Sequence, residues 1–268
     1  PYRIPIIGWK HEIKRLDGAS ALEFYRKWYV PNNAVLIVAG DVYPNDVRKL
    51  AERYYGPIAR GPEVKRNRVQ EPPHMAGRRI LMASSQVGLA QFTRRYLAPS
   101  YQFDRVEYAY PLQLLSDILG NSTSSRLYQE LVVNKKLAVS VGAWYSPANL
   151  GPSVFGVYAS PKSNVSIAEL EDAIDNEIQR ILDYGVTEIE LEKSKTRLRR
   201  SAVFARDSVT APARIIGNLL LSGQKLGQIE EWPENIAAVT RREIKNAAEY
   251  VFKLRQSVTA ILTPKNKN

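Results

Sequence analysis

Cysteine is absent from this 268-residue sequence, and histidine occurs only twice, at His11 and His74. The lack of cysteine excludes disulfides, thiolate zinc sites, iron–sulfur clusters and cysteine nucleophiles. A zinc enzyme usually takes two or three histidine ligands, so this sequence leaves little for a metal centre or for imidazole catalysis. The residues in hand therefore disfavour a self-contained zinc or cysteine-based active site.

Long apolar runs are also missing. The longest, residues 34–39, is far shorter than the roughly 20 residues that a membrane-spanning helix needs. No signal peptide is visible. We therefore expect a soluble protein with no membrane span. The sequence opens at Pro1 without an initiator methionine, which predicts that it was entered in mid-protein.

Positive charge is in excess, with 38 Lys and Arg against 27 Asp and Glu, a formal net charge of +11. This charge has two interpretations, a patch for nucleic acid or acidic peptide, or the solvated face of a helix. Neither a G-x-x-G loop nor an aromatic RNA-binding pattern accompanies the charge, which favours the solvated face. The densest cluster is Lys193, Lys195, Arg197, Arg199 and Arg200.

Capping boxes, in which Ser or Thr is followed three residues later by Glu, predict helices that begin near residues 21, 167, 188 and 241. The second of these helices carries apolar residues three or four positions apart from Ile167 to Ile181, typical of one buried stripe, and we expect Gly185 to follow its end. The four pairs are Ser20 and Glu23, Ser166 and Glu169, Thr187 and Glu190, and Thr240 and Glu243.

Apolar and β-branched runs predict several strands. Because strands and helices arrive in pairs rather than in strict alternation, the sequence predicts an α+β fold with a mainly antiparallel sheet packed against helices. The predicted strands are residues 34–39, buried on both faces; residues 79–83 and 89–97, as a strand pair; residues 137–145 and 153–160, as a hairpin; and residues 257–262.

A stretch rich in proline and charge interrupts these patterns between Gly61 and Pro73. It predicts a linker at residues 63–78, between a short piece, 1–62, and a longer domain, 79–268. The short piece has one apolar strand between two helices and no strand to pair with it. We therefore expect its sheet partners upstream of Pro1, or from elsewhere in the chain.

Three segments suggest catalysis, but the residues do not support it. His11-Glu12 begins a zincin pattern, yet Arg15 stands where the second histidine is needed, so we expect an exposed His11. His74 has no partner at ligand spacing and is expected at the surface. Residues 120–125, Gly-Asn-Ser-Thr-Ser-Ser, lack both the nucleophile elbow and the P-loop lysine, which favours a turn that caps the following helix.

Two stretches are distinctive in residue order and spacing. One contains Tyr29-Val-Pro31-Asn32-Asn33 before the apolar run, and the other is Leu-Gly-x-x-x-Ser-Ser-Arg-Leu-Tyr, residues 119–128. Together they resemble the M16 zinc peptidases, which include pitrilysin, insulysin and the mitochondrial processing peptidase. Gly185-Val186-Thr187 with Glu190 fits the same template. The resemblance covers essentially the whole chain and is closest to the shorter bacterial and mitochondrial branch.

This resemblance implies an architecture in which paired α+β domains of similar fold enclose a peptide. One domain binds zinc through an inverted H-x-x-E-H helix and a downstream Glu. This chain begins after that motif. Residues 1–62 then match the C-terminal end of the metal-bearing domain, and residues 79–268 match a complete non-zinc domain. Zinc is accordingly expected in the parent protein, with no catalytic or metal-binding residue in this chain.

The resemblance also identifies one departure from the family pattern. Many members carry an Arg and, seven residues later, a Tyr that reach the substrate carbonyl, and the matching positions here are Val132 and Val139. Valine cannot donate to a developing oxyanion. The resemblance therefore implies a homo- or heterodimer with another M16-like chain that carries the Arg and Tyr.

Two functions follow as expectations. The first is the C-terminal, non-zinc-binding portion of an M16 metalloendopeptidase, inactive alone, which forms half of a chamber for a peptide or unfolded polypeptide. The alternative is a catalytically inactive M16-like subunit with an assembly or peptide-binding role. Either fits the bacterial periplasm or cytoplasm, and nucleic acid is not an expected partner.

Overall fold

The computed structural model describes residues 4–65, 72 and 74–265 and divides into two compact units. The first unit comprises Pro1–Pro73 with Ser208–Gly217, and the second comprises His74–Asp207 with Asn218–Asn268. The predicted linker, residues 63–78, lies partly outside the described residues, so it and the domain boundaries 1–62 and 79–268 stay predictions.

The regular elements described in the first unit are helices. Its Pro-Asn-Asn turn joins the second helix to the rest of the unit, because the Asn33 side chain donates to the Trp28 carbonyl. Asn32 accepts from the Gly61 amide at 2.9 Å and donates to the Pro62 carbonyl at 3.2 Å. The elements are α1, Lys10–Ile13; α2, Gly18–Trp28; a 3₁₀ turn, Pro31–Asn33; α3, Pro44–Tyr54; and the first residues of α7, Ala211–Leu221.

The prediction of a buried strand at residues 34–39 was wrong for the described structure. These residues pair with no strand that the structure describes, and only Ile37 is partly buried, at Gly217 of α7. Ala34 has extended backbone angles, with φ −126° and ψ 152°. A strand is buried when neighbouring strands complete its hydrogen bonds and cover its faces, and the described part of this unit supplies none.

The start of α2 also differs from its prediction. Asp17, not Ser20, is the N-cap, since its carboxylate accepts from the Ser20 amide at 2.8 Å. The helix consequently begins at Gly18 rather than near residue 21. The hydrogen bonds from the Ser20 amide and hydroxyl hold the pKa of Asp17 below its ordinary value.

The second unit is built on one five-stranded sheet with the strand order β1-β5-β2-β4-β3. β1 pairs parallel with β5, and the other three pairings are antiparallel. The predicted α+β fold with a mainly antiparallel sheet is therefore confirmed. The strands are β1, Arg78–Ser84; β2, Gln91–Ala98; β3, Ala138–Tyr145; β4, Ser153–Pro161; and β5, Ser257–Pro264.

Strand pairing was predicted in part. The hairpin of β3 and β4 and the late strand β5 are confirmed, but β1 and β2 do not pair with each other. β5 lies between them, so the direct pairing predicted for residues 79–83 and 89–97 was wrong. Local sequence favours nearest neighbours, whereas β5 arrives from more than 150 residues away along the chain.

Helices cover one face of this sheet and form the core with it. α4 is the most buried, and its Gly120 approaches β3 so closely that a Cβ atom would overlap the backbone at Gly142 and Ala143. The predicted stripe of α5 is confirmed, since Leu170, Ile174, Ile178 and Ile181 are buried. The helices are α4, Ala109–Gly120; α5, Ile167–Tyr184; α6, Glu188–Phe204; the last residues of α7; α8, Leu226–Glu230; α9, Trp232–Ala238; and α10, Arg241–Val251.

The predicted starts of α5, α6 and α10 are confirmed. Ser166 caps α5, and reciprocal capping boxes begin α6 at Thr187 and α10 at Thr240. Gly185 ends α5 with a positive φ of 71°, a conformation that favours glycine.

Loss of the Thr240 cap provides a test of this helix start. We expect Thr240→Ala to lower the free energy of unfolding by about 1 kcal/mol, because the Glu243 amide loses its acceptor while α10 stays packed in the core. Urea denaturation measures the change. Thr240→Ser is the control and should retain most of the stability, and equal losses in the two variants would contradict a capping role.

Candidate functional site

The distinctive Gly-Asn-Ser-Thr-Ser-Ser segment is a turn between α4 and a helical run. The Ser125 amide and hydroxyl both donate to the Ser122 carbonyl, at 3.1 and 2.6 Å. No acid or base contacts these serines among the residues that the structure describes. The segment therefore serves as a turn and presents no activated nucleophile.

Val132 and Val139 both lie where the backbone is irregular. Val132 belongs to a π-helical run, Tyr128–Asn134, and packs partly buried against the core. Val139 lies at a register shift between Ala138 and Ser140 of β3, and 56% of its surface is exposed. π-helical turns and β-bulges are over-represented at functional sites because they redirect side chains.

Lys136 connects these two irregularities. Its φ of 55° is left-handed, which reverses the chain between the π-helical run and β3. The Leu137 amide donates to the Leu131 carbonyl at 2.8 Å, and the Lys162 amide donates to the Leu137 carbonyl at 2.9 Å. The backbone around Val132 and Val139 is thus held by hydrogen bonds. The match of these two positions to the family's Arg and Tyr stays a prediction.

Arg126 supports this region from the side. Its Nε and Nη2 donate to the two carboxylate oxygens of Glu190 at 2.6 and 2.7 Å, and Nη2 also donates to the Gly185 carbonyl at 3.1 Å. Glu190 accepts in addition from the Thr187 amide and hydroxyl, both at 2.8 Å. One carboxylate therefore caps α6 and holds the arginine that precedes the π-helical run.

The environment of Glu190 favours its ionised form. Burial acts to raise its pKa, but the hydrogen bonds from Arg126 and Thr187 outweigh burial and lower the pKa to about 2. Glu190 is consequently a carboxylate at neutral pH. It is too acidic and too well paired to serve as a general base.

A cleft of about 250 Å³ lies beside this pair. Its charged groups are matched, because Glu177 accepts from Arg180 at 2.9 Å and Glu130 lies 3.2 Å from Lys135. Such a cleft holds no activated nucleophile, so the arrangement supports structure rather than catalysis. The lining residues are Arg126, Gln129, Glu130, Glu177, Arg180, Thr187 and Glu190.

Neither histidine forms any of the hydrogen bonds or ion pairs described above. His11 is exposed in α1, as predicted. His74 is partly buried rather than at the surface, and its Nδ1 is enclosed without a hydrogen-bond partner among the described residues. Over residues 4–65, 72 and 74–265, no group of three or more His, Asp or Glu side chains could hold a metal ion. Zinc therefore does not fit the described part of this chain.

The basic cluster of α6 is divided between structure and solvent. Lys195 pairs with Glu192 at 3.0 Å, and Arg197 pairs with the buried Asp117 of α4 at 2.5 Å. The other three residues of the cluster, Lys193, Arg199 and Arg200, are exposed. The cluster is thus mainly a solvated helix face, with one arginine that anchors α6 to α4.

Sequence reasoning did not find the contact between Arg126 and Glu190. Both residues were quoted in the family resemblance, but in two segments 64 positions apart. Their opposite charges and shared place in that resemblance were the available signal. Of the other parts of the network, the contact between Thr187 and Glu190 was predicted as a capping box, whereas the Gly185 carbonyl gave no sequence signal.

Comparison with known proteins gives a consistent result. A family description for the peptidase M16 inactive domain matches residues 15–198. An uncharacterized zinc protease of Rickettsia bellii is 28% identical over 270 residues, which cover 99% of this chain and 62% of that protein. This chain thus spans about three fifths of the length of the curated relatives that it matches.

Solved structures share the fold. A protease from Helicobacter pylori has a TM-score of 0.86 at 23% identity, covering 96% of this chain and 61% of that chain. A peptidase M16 inactive domain from Pseudomonas fluorescens has a TM-score of 0.80 at 20% identity, covering 97% and 60%. At these identities the likeness concerns the fold alone. No helix in the described ranges is long and apolar enough to cross a membrane.

Proposed function

Because this chain belongs to the peptidase M16 family, through its inactive domain, we propose that it is the non-zinc-binding portion of an M16-type zinc metalloendopeptidase. In this proposal it forms half of a chamber that encloses a peptide or unfolded polypeptide. The parent protein binds the zinc, and a second M16-like chain contributes the Arg and Tyr. The chain by itself is inactive.

The observation that supports the proposal is the irregular backbone at Val132 and Val139. Both positions have irregular backbone of the kind found at functional sites, yet both side chains are apolar. A scaffold of this kind supports a division of labour, in which another chain supplies the polar groups that contact the substrate.

An exposed apolar segment in the first unit supports the proposal that this chain is part of a larger protein. Residues 34–39 expose Val35, Leu36 and Val38, and no described strand covers them. Exposed apolar residues in a contiguous segment usually mark an interaction surface. We propose that strands of the metal-bearing domain, encoded upstream of Pro1, pair with this segment.

A peptidase assay tests the proposal directly. We expect the 268-residue chain to bind no stoichiometric zinc and to cleave no peptide. The protein encoded by the intact reading frame should cleave an unstructured peptide in a zinc-dependent manner when it is mixed with an M16-like chain that carries the Arg and Tyr. Stoichiometric zinc in the 268-residue chain, or zinc-independent cleavage by the mixture, would contradict the proposal.

Restoring the missing pair provides a sharper test. In the intact reading frame, Val132→Arg with Val139→Tyr is expected to raise partner-independent peptidase activity at least about tenfold, because both groups would then face the substrate from one chain. Val133→Arg, an exposed position on the same π-helical run, is the matched control and should have no effect. Equal activity in the double variant, the control and the parent would show that these positions do not contact substrate.

The alternative, an inactive subunit with an assembly or peptide-binding role, is supported by the same valines. It predicts that the upstream sequence lacks an intact H-x-x-E-H motif. Reading the encoding frame upstream of Pro1 separates the two functions, since an intact motif there favours the peptidase.

A further inference from the structure

One face of the five-stranded sheet exposes side chains from several strands in the described part of the second unit, and we call it the open face. Ile80, Met82, Leu97 and Tyr158 all point to this face and are exposed. A single row of paired positions crosses all five strands on it. In strand order, the row is Arg78 on β1, Val258 on β5, Arg95 on β2, Gly156 on β4 and Trp144 on β3.

Arg94 and Arg95 are adjacent but point to opposite faces of the sheet. Arg94 is 3% exposed on the helix side and contacts two carboxylates, Glu171 and Asp175. Arg95 is exposed on the open face and forms no ion pair with any residue that the structure describes. Its guanidinium instead lies 5.9 Å from the centroid of the Trp144 ring.

Two aromatic rings lie flat over glycines beside Arg95. The Trp144 ring covers Gly156, where a Cβ atom would overlap the indole. Tyr158 covers Gly142, where a Cβ atom would lie 2.6 Å from the phenol oxygen. The ring centroids are 5.9 Å apart. The result is an apolar platform that ends at an unpaired guanidinium.

The charged residues that the five strands contribute to the open face have one sign. None of the five strands contains Asp or Glu, and Arg78 and Arg95 are the cations of the shared row. An exposed guanidinium beside aromatic rings suits a planar carboxylate whose neighbouring group is apolar, because the guanidinium donates bidentately while the rings cover the apolar part.

We propose that the open face binds an extended peptide through this cluster, with a carboxylate on Arg95 and an adjacent apolar side chain on Trp144 and Tyr158. The proposal rests on the function proposed above, in which the chain encloses a peptide, and it adds a preference for acidic residues. Nucleic acid fits less well, because two arginines about 10 Å apart would neutralise few phosphates.

Fluorescence anisotropy with short labelled peptides tests this inference on the 268-residue chain. The reference peptide contains adjacent phenylalanine and glutamate and ends in an amide. We expect Arg95→Gln to weaken its binding about tenfold, because a charge-assisted hydrogen-bonded pair is lost. Arg199→Gln makes the same charge change at an exposed arginine of α6 and should leave binding unchanged.

Altered peptides identify the source of the carboxylate. Glutamine in place of glutamate should weaken binding to the parent chain about tenfold and make binding insensitive to Arg95→Gln. A further peptide contains glutamine and ends in a free carboxylate. If it binds as tightly as the reference peptide, the site recognises peptide C-termini. If its binding stays weak, the site recognises acidic side chains. Trp144→Leu should weaken every peptide that contains the phenylalanine.

Three outcomes would overturn the inference. They are equal affinity for the glutamate and glutamine amides, equal weakening by Arg95→Gln and Arg199→Gln, and tighter binding of a labelled oligouridine than of the reference peptide. These measurements need no zinc and no cleavage. If these binding tests fail while the parent protein still has zinc-dependent peptidase activity, only the proposed acidic preference is contradicted. If the parent protein has no peptidase activity but the chain binds the peptide as expected, only the proposed peptidase function is contradicted.

Discussion

Replacing Arg94 by leucine is expected to lower the free energy of unfolding by about 3 kcal/mol, measured by urea denaturation. Arg94 is buried on the helix side of β2, where it donates to Glu171 at 2.5 Å, to Asp175 and to the Thr259 hydroxyl at 3.0 Å. Its removal leaves Asp175 without its cation, while Glu171 keeps Arg79, which donates to both of its oxygens at 2.7 Å. Both carboxylates are partly buried, so their desolvation adds to the lost attraction and makes the change large.

The neighbouring residue supplies the control. Arg95→Leu removes the same group from the next position of the same strand, but on the exposed face, and should change stability by no more than about 0.5 kcal/mol. Adding Asp175→Leu to Arg94→Leu should recover part of the loss, because one uncompensated carboxylate disappears. Similar losses from Arg94→Leu and Arg95→Leu would show that the buried network does not stabilise the fold.

Replacing Glu190 by glutamine is expected to lower the free energy of unfolding by about 2 kcal/mol at pH 7, since the pKa of this group is depressed in the folded chain. Its folded pKa is about 2, against an ordinary value of 4.5. The ionised form therefore stabilises the native state above about pH 4.5. That stability is lost as the pH falls towards 2, where the carboxyl becomes protonated in both states.

The pH dependence distinguishes this effect from simple loss of packing. The difference between the parent chain and Glu190→Gln should be constant above about pH 5 and should shrink steadily below it. Glu188→Gln, at an exposed position in the same first turn of α6, is the control and should show a much smaller dependence. A difference that is independent of pH would contradict the proposed charge pairing.

Local patterns in the sequence predicted much of the second unit. The hairpin of β3 and β4, the stripe of α5 and the caps at Thr187 and Thr240 depend on residues close together in the chain, and all four predictions are confirmed. At the start of α2, however, the capping-box pattern placed the cap at Ser20, and the structure uses Asp17.

Local patterns could not predict contacts between residues that are far apart along the chain. The place of β5 between β1 and β2 depends on packing over the whole sheet, and the contact between Arg126 and Glu190 depends on where α6 meets the π-helical run. Alternation along β2 did contain one unused signal. Arg94 lies between Phe92 and Tyr96 on the buried side, which already implied that it needs carboxylate partners.

The position of β5 has a consequence for synthesis. Residues 257–264 form the strand that joins β1 to the remainder of the sheet, so β1 has no partner until these late residues have left the ribosome. Until then the backbone groups of β1 and of one edge of β2 lack the hydrogen bonds that β5 supplies. The second unit therefore completes its sheet only after β5 has left the ribosome. During synthesis β1 is the strand that stays unpaired longest, so a chaperone that binds unpaired apolar strands can bind β1 for the longest time.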